Sequence, residues 1–182
     1  MSADLEALDA LLRSRSLTHG DFVLSSGQRS TYYIDARKTT MSARGFSLIG
    51  RLGLDLIRRQ GWEPRAVGGL TMGADPVAYA VANASLASPP ELDAFSVRKA
   101  AKDHGTRRLI EGNFTPGAPV VVIEDVITSG GSALQAIEAV RSEGAKVLGV
   151  LAVVDREQGG REAIRGAGVE VVSITTISRL GA

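Results

Sequence analysis

Two adjacent carboxylates, Glu124 and Asp125, follow a run of four apolar residues at positions 120–123. The chain then reads Thr128-Ser129-Gly130-Gly131-Ser132 and enters a segment with helical periodicity. Glycines let a backbone wrap closely around an anion, hydroxyls donate hydrogen bonds, and a helix N-terminus adds unpaired N–H groups with a partial positive charge. The two acids suit the vicinal hydroxyls of a ribose, or a divalent cation. The segment therefore predicts a site for a ribose 5-phosphate.

Other interpretations of this segment are simpler. Either acid could cap the following helix or face solvent, because a strand that ends in Glu-Asp before a glycine-rich loop also occurs by chance. Two familiar nucleotide motifs are excluded. No lysine follows Gly130 and Gly131, as the ATP-binding loop requires, and the glycine spacing is not that of the dinucleotide-binding turn.

A second candidate is the basic segment 98–108, which follows an apolar run ending at Val97 and contains mostly cations and small residues. A bare charge run is usually a solvated loop. This one leaves the carboxyl end of a predicted strand, where it could fold over a ligand that carries several phosphate charges. Arg and Lys side chains there would stabilise a leaving group as its negative charge develops, and Gly105 would let the loop open and close.

The elements that position these segments alternate along the chain. We expect an amphipathic helix over 3–15, a β-like pair around 22–24 and 32–34, and a helix over 42–60. Further predicted strands are 66–69, 94–97, 120–123, 146–154 and 169–176; predicted helices are 75–84, 132–143 and a short glycine-rich stretch after 154, with a polar loop from 98 to about 118. Continuous Val/Ile runs between helical segments are typical of a parallel sheet covered on both faces.

The predicted fold class is therefore α/β: a mainly parallel sheet flanked by helices, with a small N-terminal helix-hairpin addition, in one domain over 1–182. In such sheets ligands bind at the carboxyl ends of the strands, here just after Gly69, Val97, Ile123 and Val154.

Composition excludes several classes of protein. The 182 residues are 44% hydrophobic and 23% charged, which does not fit a disordered or fibrous chain. There are no cysteines and only two histidines, so thiol nucleophiles, thiolate metal sites and multi-histidine cages are ruled out. A net charge of +1 gives no global field for coating nucleic acid. The start of the sequence lacks the pattern of a signal peptide, and no apolar stretch reaches membrane-spanning length, so we expect a cytoplasmic protein without a nucleic-acid or membrane partner.

Residues 120–132 resemble the phosphoribosyl-diphosphate signature of the type I phosphoribosyltransferases. The run Arg-Lys-x-x-Lys-Asp-His-Gly from Arg98 is similar to the catalytic loop of the orotate phosphoribosyltransferases within that family. Segments 22–27, 68–76 and 153–157 fit the same group in the same order. Members convert orotate and 5-phosphoribosyl 1-diphosphate (PRPP), with Mg²⁺, into orotidine 5′-monophosphate and diphosphate.

The resemblance implies roles for individual residues. Lys102 and His104 would be catalytic, and orotate would bind at Thr128 and Arg156, whose planar guanidinium can grip a carboxylate with paired hydrogen bonds. The implied PRPP-binding residues are Arg98, Lys99, Lys102, His104, Glu124, Asp125, Val126, Ile127, Thr128, Ser129, Gly130, Gly131 and Ser132. The Mg²⁺ would be held mainly by diphosphate and ribose, near Glu124 and Asp125. Family members are homodimers in which the mobile loop of one subunit reaches the neighbour's site.

The sequence departs from the family pattern at two places. Many members have a lysine at the position of Ser25 and a Tyr-Lys pair at Met72-Gly73. Backbone amides around 71–74, or the hydroxyls of Ser25 and Ser26, would have to substitute for those cations. Tyr33 could stack near the pyrimidine, although an aromatic residue on a hairpin is more often packing.

Two alternatives stay open from the residues alone. One is a type I phosphoribosyltransferase that acts on a purine or another pyrimidine, against which Arg156 and the Lys-Asp-His run argue. The other is a non-catalytic regulator that senses PRPP while it binds nucleic acid, which the near-neutral charge disfavours.

Overall fold

The fold is built around a six-stranded sheet with the strand order β5-β4-β3-β6-β7-β8. The computed structural model describes residues 2–23, 29–100 and 109–182. The strands of this sheet are β3 (Ala66–Leu70), β4 (Asp93–Val97), β5 (Ile110–Gly112), β6 (Pro119–Ile127), β7 (Lys146–Asp155) and β8 (Val171–Thr176). The short β5 pairs antiparallel with β4, and the other neighbours pair in parallel. The predicted fold class, an α/β protein with a mainly parallel sheet, is confirmed.

Helices cover both faces of this sheet. They are α1 (Ala3–Leu11), α2 (Arg37–Thr40), α3 (Ala43–Arg59), α4 (Ala74–Ser85), α5 (Gly131–Ser142), α6 (Gly160–Gly166) and α7 (Ile177–Leu180). Helix α3 begins where Ser42 accepts a hydrogen bond from the Gly45 N–H, and it ends before Gly61, whose φ of +66° is left-handed. The predicted helices 42–60, 75–84 and 132–143 each lie within one or two residues of the observed ones.

The uninterrupted apolar run in strand β6 is explained by burial of both of its faces. Val121 and Ile123 pack with α1, α3 and α4 on one face, whereas Val120 and Val122 pack with α5 and α6 on the other. Successive side chains of a strand point to opposite faces, so a central strand under two helical layers needs apolar residues at every position. Each such side chain contributes roughly 1.5–3 kcal/mol when fully buried.

The N-terminal addition is a helix followed by a two-stranded antiparallel sheet, as predicted. After α1 the chain widens into a π-helical turn, Leu12–Ser16, within the segment predicted as one helix to residue 15. The strands β1 (Leu17–Val23) and β2 (Arg29–Ile34) then pair with each other. The buried Asp9 accepts a hydrogen bond of 2.5 Å from Arg179 Nε, which ties α1 to the C-terminal helix α7.

Three elements were not predicted from the sequence. Strand β5 lies in the stretch predicted as loop, and α2 and α7 are single turns too short for a periodic signal. Strand β6 also extends past Ile123 to Ile127, so the acid pair lies inside the strand rather than after it. Among the described residues, no helix is long and apolar enough to cross a membrane.

Candidate functional site

A cleft of about 390 Å³ opens at the carboxyl ends of β3, β6 and β7, where the end of β2 also reaches it. The residues that line it are Tyr33, Ile34, Asp35, Ala36, Arg37, Leu70, Thr71, Met72, Gly73, Lys99, Glu124, Asp125, Val126, Thr128, Ser132 and Arg156. The lining includes much of the predicted site: Lys99, Glu124, Asp125, Val126, Thr128, Ser132 and Arg156. The cleft thus lies at the edge of the sheet where ligands were expected.

A larger cleft of about 940 Å³ lies at the opposite edge of the sheet, where β3 and β6 begin. Its lining is mostly apolar and includes Trp62, Pro64 and Pro90. Its two arginines are already engaged, Arg58 with the Ser88 and Pro90 carbonyls and Arg65 with Asp93 at 4.0 Å. The smaller cleft is the candidate site, because it brings together the acid pair, the hydroxyl-glycine loop and the cations.

The loop from β6 into α5 is shaped by Gly130. This residue is the N-cap of α5 with φ +83°, and a Cβ there would lie 2.8 Å from the Gly160 carbonyl oxygen. Glycine is therefore needed both for its left-handed backbone and for the close approach of α6. The N-cap offers no side-chain acceptor to the first N–H groups of α5, which leaves them for an anion. Thr128 and Ser132 place hydroxyls beside them in the cleft lining.

Four predicted residues of this segment do not line the cleft: Ile127, Ser129, Gly130 and Gly131. The Ile127 side chain is 1% exposed and belongs to the core beneath α5, so only its backbone is available to a ligand. Ser129, Gly130 and Gly131 complete the loop without lining the cleft with their side chains. Backbone N–H groups are nevertheless the donors that an anion-binding loop uses.

The acid pair is unequal. Glu124 is 7% exposed, and burial raises its pKa to about 9, with further contributions from the charge of Asp125 and a hydrogen bond to it. The raised pKa of Glu124 favours its protonated form near neutral pH, in which its carboxyl group can donate a hydrogen bond. Asp125 Oδ1 also accepts a hydrogen bond of 2.9 Å from the Val126 N–H. The sequence suggested two equivalent carboxylates, whereas burial makes the environment of Glu124 distinct.

Gly73 packs directly against Asp125. A Cβ at this position would lie 2.5 Å from Asp125 Oδ1, so any larger residue would displace the carboxylate. The loop that carries Gly73 is anchored by Asp75, which accepts hydrogen bonds of 2.6 Å from both the Thr71 and Ser96 hydroxyls. The observed placement of the Asp125 carboxylate therefore requires glycine at position 73.

Arg156 is buried at the end of β7 with an incomplete set of partners. It is 7% exposed, its guanidinium carbon lies 4.9 Å from the Tyr32 ring centroid, and its Nε donates to the Tyr32 hydroxyl at 3.4 Å. Among the described residues, its Nη2 has no hydrogen-bond partner. A buried cation without a carboxylate is unfavourable unless a ligand supplies the negative charge. The arrangement suits a bound carboxylate.

The strand end that carries Arg156 is fixed by an ion pair. Asp155 is 2% exposed, and its Oδ2 accepts a hydrogen bond of 2.8 Å from Arg161 Nε. Arg161 also donates to the Val171 carbonyl and the Ser173 hydroxyl on β8. The next peptide is held as well, since the Glu157 N–H donates to Asp155 Oδ1.

The basic segment is only partly described. Lys99 lines the cleft, whereas Arg98 forms an ion pair of 2.9 Å with Glu111 on β5 and does not line it. Lys102 and His104, the predicted catalytic residues, lie outside the described residues, as do Ser25 and Ser26.

Sequence reasoning missed three residues of the site. Tyr32, 8% exposed, is the aromatic residue that packs on Arg156, while its neighbour Tyr33 is 44% exposed, lines the cleft and contacts Phe22. Asp35 and Arg37 also line the cleft. The signal in the sequence was the acid-x-base triplet directly after the aromatic strand, where the chain leaves β2.

The chain matches the model of the phosphoribosyl transferase domain over residues 42–178. It is 44% identical over 182 residues to the orotate phosphoribosyltransferase of Rhodopirellula baltica, covering 98% of this chain and 94% of that protein. It is 47% identical over 178 residues to that of Aquifex aeolicus, covering 96% of each. The crystal structure of Mycobacterium tuberculosis orotate phosphoribosyltransferase in complex with PRPP superposes with a TM-score of 0.84 at 41% identity, over 98% of this chain and 99% of that one. The chain therefore belongs to the phosphoribosyltransferase family, as an orotate phosphoribosyltransferase.

Proposed function

We propose that this orotate phosphoribosyltransferase carries out its reaction in the 390 Å³ cleft, with the acid pair, the loop 128–132, the cations and Arg156 in separate roles. The reaction joins N1 of orotate to C1 of the ribose as the bond from C1 to the diphosphate oxygen breaks, and N1 loses its proton. The observation that carries these assignments is the buried, incompletely paired Arg156 guanidinium, which lines the same cleft as Glu124 and Asp125.

The 5-phosphate is assigned to the loop Thr128–Ser132. Support comes from the free first turn of α5, the left-handed Gly130 and the two hydroxyls that face the cleft. Ser129 and Gly131 contribute backbone N–H groups. This site fixes one end of PRPP, and the remainder of the molecule is then positioned over the acid pair.

The ribose hydroxyls are assigned to Glu124 and Asp125. A protonated Glu124 offers a donor as well as an acceptor, and the oxygens of Asp125 accept from a hydroxyl. Val126, next to them in the cleft lining, supports the ring with its backbone and side chain. As the diphosphate leaves, the ribose becomes positively charged, so one nearby negative charge on Asp125 stabilises the transition state.

Orotate is assigned to Arg156 and Thr128. Arg156 binds the carboxylate that distinguishes orotate from uracil. Tyr32 positions the guanidinium through contact with its ring and a hydrogen bond to its hydroxyl. Thr128 offers a hydroxyl in the cleft lining. Binding a carboxylate there supplies a partner to the Nη2 group, which has none among the described residues.

The diphosphate is assigned to Arg98, Lys99, Lys102 and His104, with Lys102 and His104 catalytic. Of the two members that the structure describes, Arg98 and Lys99, Lys99 lines the cleft. The assignment of Arg98 requires that it exchange Glu111 for the diphosphate. The roles of Lys102 and His104 rest on the resemblance of the sequence from Arg98 to the catalytic loop of the family.

The residues present fit Mg²⁺ as a partner of PRPP rather than as a resident ion. The described residues contain no group of three or more His, Cys, Asp or Glu that could hold a metal. Glu124 and Asp125 provide oxygen ligands, and Mg²⁺ is commonly bound by one or two carboxylates together with substrate phosphates. When bound, the ion neutralises charge on the diphosphate.

Two copies of the chain are proposed to form a homodimer with shared active sites. Met72, Tyr79 and Leu86 lie seven residues apart along α4 and its flanks and are 59%, 48% and 63% exposed. Their spacing puts Tyr79 and Leu86 on one face of the helix. Because Met72 also lines the cleft, a second copy seated on this stripe would border the active site. Leu86→Glu is expected to give monomers in light scattering, and a dimer of unchanged affinity would contradict this interface.

The assay that tests the proposed function uses purified protein with Mg²⁺ and PRPP. Orotate is followed by its loss of absorbance, with adenine, hypoxanthine and uracil in parallel. Conversion of orotate alone is the expected result. Turnover of a purine alone would contradict the assignment of Arg156, and binding of PRPP without turnover of any base would point to a regulator.

A further inference from the structure

Arg37 is a cation in the cleft that has none of the roles implied by the family resemblance or assigned in the proposed reaction. It lies in α2, directly after the aromatic strand β2, and among the described residues it lines the cleft with two other cations, Lys99 and Arg156. Its side chain is 47% exposed, so a ligand in the cleft can reach it.

The guanidinium of Arg37 is held by one edge. Its Nε donates to Asp35 Oδ1 at 2.8 Å, and its Nη2 donates to Asp35 Oδ2 at 3.2 Å. A guanidinium has five N–H donors in a planar fork, and this pairing uses two of them. Among the described residues Nη1 has no hydrogen-bond partner, which leaves the second edge for an anion.

Asp35 is itself well placed to orient Arg37. Its side chain is 19% exposed, and its backbone N–H donates to the Ser16 carbonyl at 3.0 Å. The hydrogen bond from Arg37 lowers the pKa of Asp35, so the carboxylate is ionised throughout the neutral range. An ionised, anchored carboxylate reduces the freedom of the Arg37 side chain before a ligand arrives, which favours binding.

The position of Arg37 relative to the acid pair indicates which anion it meets. Arg37 and Asp125 line the same cleft, and Asp125 is among the causes that raise the pKa of Arg37, after the hydrogen bond and charge of Asp35. Arg37 therefore lies within electrostatic range of Asp125, whose carboxylate packs against Gly73. Asp125 is assigned to the ribose hydroxyls and the loop 128–132 to the 5-phosphate, so a cation near Asp125 and outside that loop faces the C1 end of PRPP.

We propose that Arg37, oriented by Asp35, binds the diphosphate group of PRPP. This inference rests on the proposed function of the cleft. It also bears on the departure at Gly73, where many family members have a lysine. A lysine at position 73 would displace Asp125, whereas Arg37 supplies a positive charge to the same region from α2.

The test compares the affinities of three ligands by calorimetry in the presence of Mg²⁺: PRPP, inorganic diphosphate and ribose 5-phosphate. Arg37→Gln is expected to weaken PRPP and diphosphate binding roughly ten- to hundred-fold, the loss typical of removing one charge-assisted partner. Ribose 5-phosphate lacks the diphosphate, so its affinity is expected to stay unchanged. Arg37→Lys keeps the charge without the planar fork and is expected to lie between wild type and Arg37→Gln.

Lys38→Gln is the matched control, since Lys38 is the exposed neighbour that does not line the cleft. Equal diphosphate affinities in Arg37→Gln and Lys38→Gln would overturn the role of Arg37 while leaving the proposed function intact. Equal weakening of ribose 5-phosphate and diphosphate would also overturn it, because Arg37 would then not act on the leaving group. Failure of the wild-type protein to bind PRPP would overturn the proposed function as well.

Discussion

Arg156 and Arg161 form a natural pair for separating function from stability. Both follow β7, but Arg161 has a carboxylate partner in Asp155, whereas among the described residues the Arg156 guanidinium contacts Tyr32 and no carboxylate. Replacing each by methionine removes the charge and retains much of the apolar stem. Arg161→Met is expected to lower mainly the stability, because Arg161 pairs with a buried carboxylate. Arg156→Met is expected to lower mainly the activity, because Arg156 is available to bind a ligand.

For Arg156→Met we expect a change in the free energy of unfolding within about 1 kcal/mol. The lost interaction with the Tyr32 ring is worth roughly 0.5–2 kcal/mol, and relief of the burial of an incompletely paired charge offsets it. For Arg161→Met we expect a loss of about 2–3 kcal/mol, because Asp155 stays buried without its cation. This value is below the range for fully buried pairs, since the Arg161 side chain is 26% exposed.

The catalytic effects are expected in the reverse order. Truncating one partner of a buried charge pair across a binding interface costs about 2–4 kcal/mol, so kcat/KM for orotate is expected to fall roughly 30- to 700-fold in Arg156→Met. Selectivity for orotate over uracil falls by a similar factor, because uracil has no carboxylate. Arg161→Met is expected to retain most of the activity below its unfolding temperature.

Urea unfolding and steady-state kinetics with orotate varied at saturating PRPP measure both quantities. The reasoning is refuted if Arg156→Met leaves kcat/KM for orotate unchanged, or if it is destabilised as much as Arg161→Met. A loss confined to PRPP affinity would equally contradict the assignment of the carboxylate to Arg156.

Three further substitutions test other parts of the site. Glu124→Gln is expected to remove a pH dependence of the free energy of unfolding. The pKa of Glu124 is raised from 4.5 to about 9 in the folded protein, so the wild type loses stability relative to the variant as pH rises between these values. Urea unfolding that gives the same pH dependence for both proteins across that interval would contradict the burial of Glu124 as the cause. Gly130→Ala is expected to lower the free energy of unfolding by at least about 1 kcal/mol more than Gly117→Ala does. Both glycines have positive φ, but of the two only Gly130 would bring a Cβ against a backbone oxygen. Equal losses of stability in urea unfolding would exclude the close approach to α6 as the cause. Lys102→Ala is expected to lower kcat strongly while it leaves the melting temperature nearly unchanged. An unchanged kcat would remove Lys102 from the mechanism.

Much of the fold could be predicted because its signals are local. The apolar runs of β6 and β7 are continuous, since both faces of these strands are buried, and Ser42 and Gly61 mark the ends of α3. The antiparallel β5 could not be predicted, because a three-residue edge strand has too little sequence to show a pattern. Its formation depends on the partner strand β4, a tertiary interaction.

The site was predicted less evenly than the fold. Glu124 and the loop 128–132 lie on one continuous segment, so their proximity follows from the chain itself. The raised pKa of Glu124 could not be predicted, because its largest cause is the burial of this side chain in the folded protein. Tyr32 and Arg37 enter the site from the N-terminal hairpin and α2, and their proximity to β6 and β7 is set by tertiary packing that periodicity does not report.

The measurement that most directly tests the account is a crystal structure of this protein with PRPP and Mg²⁺. We expect the 5-phosphate on the N–H groups and hydroxyls of 128–132, and the ribose hydroxyls on Glu124 and Asp125. An empty loop, or an acid pair turned away from the ribose toward an arginine of the protein, would contradict the assignment of this strand, loop and helix to substrate binding.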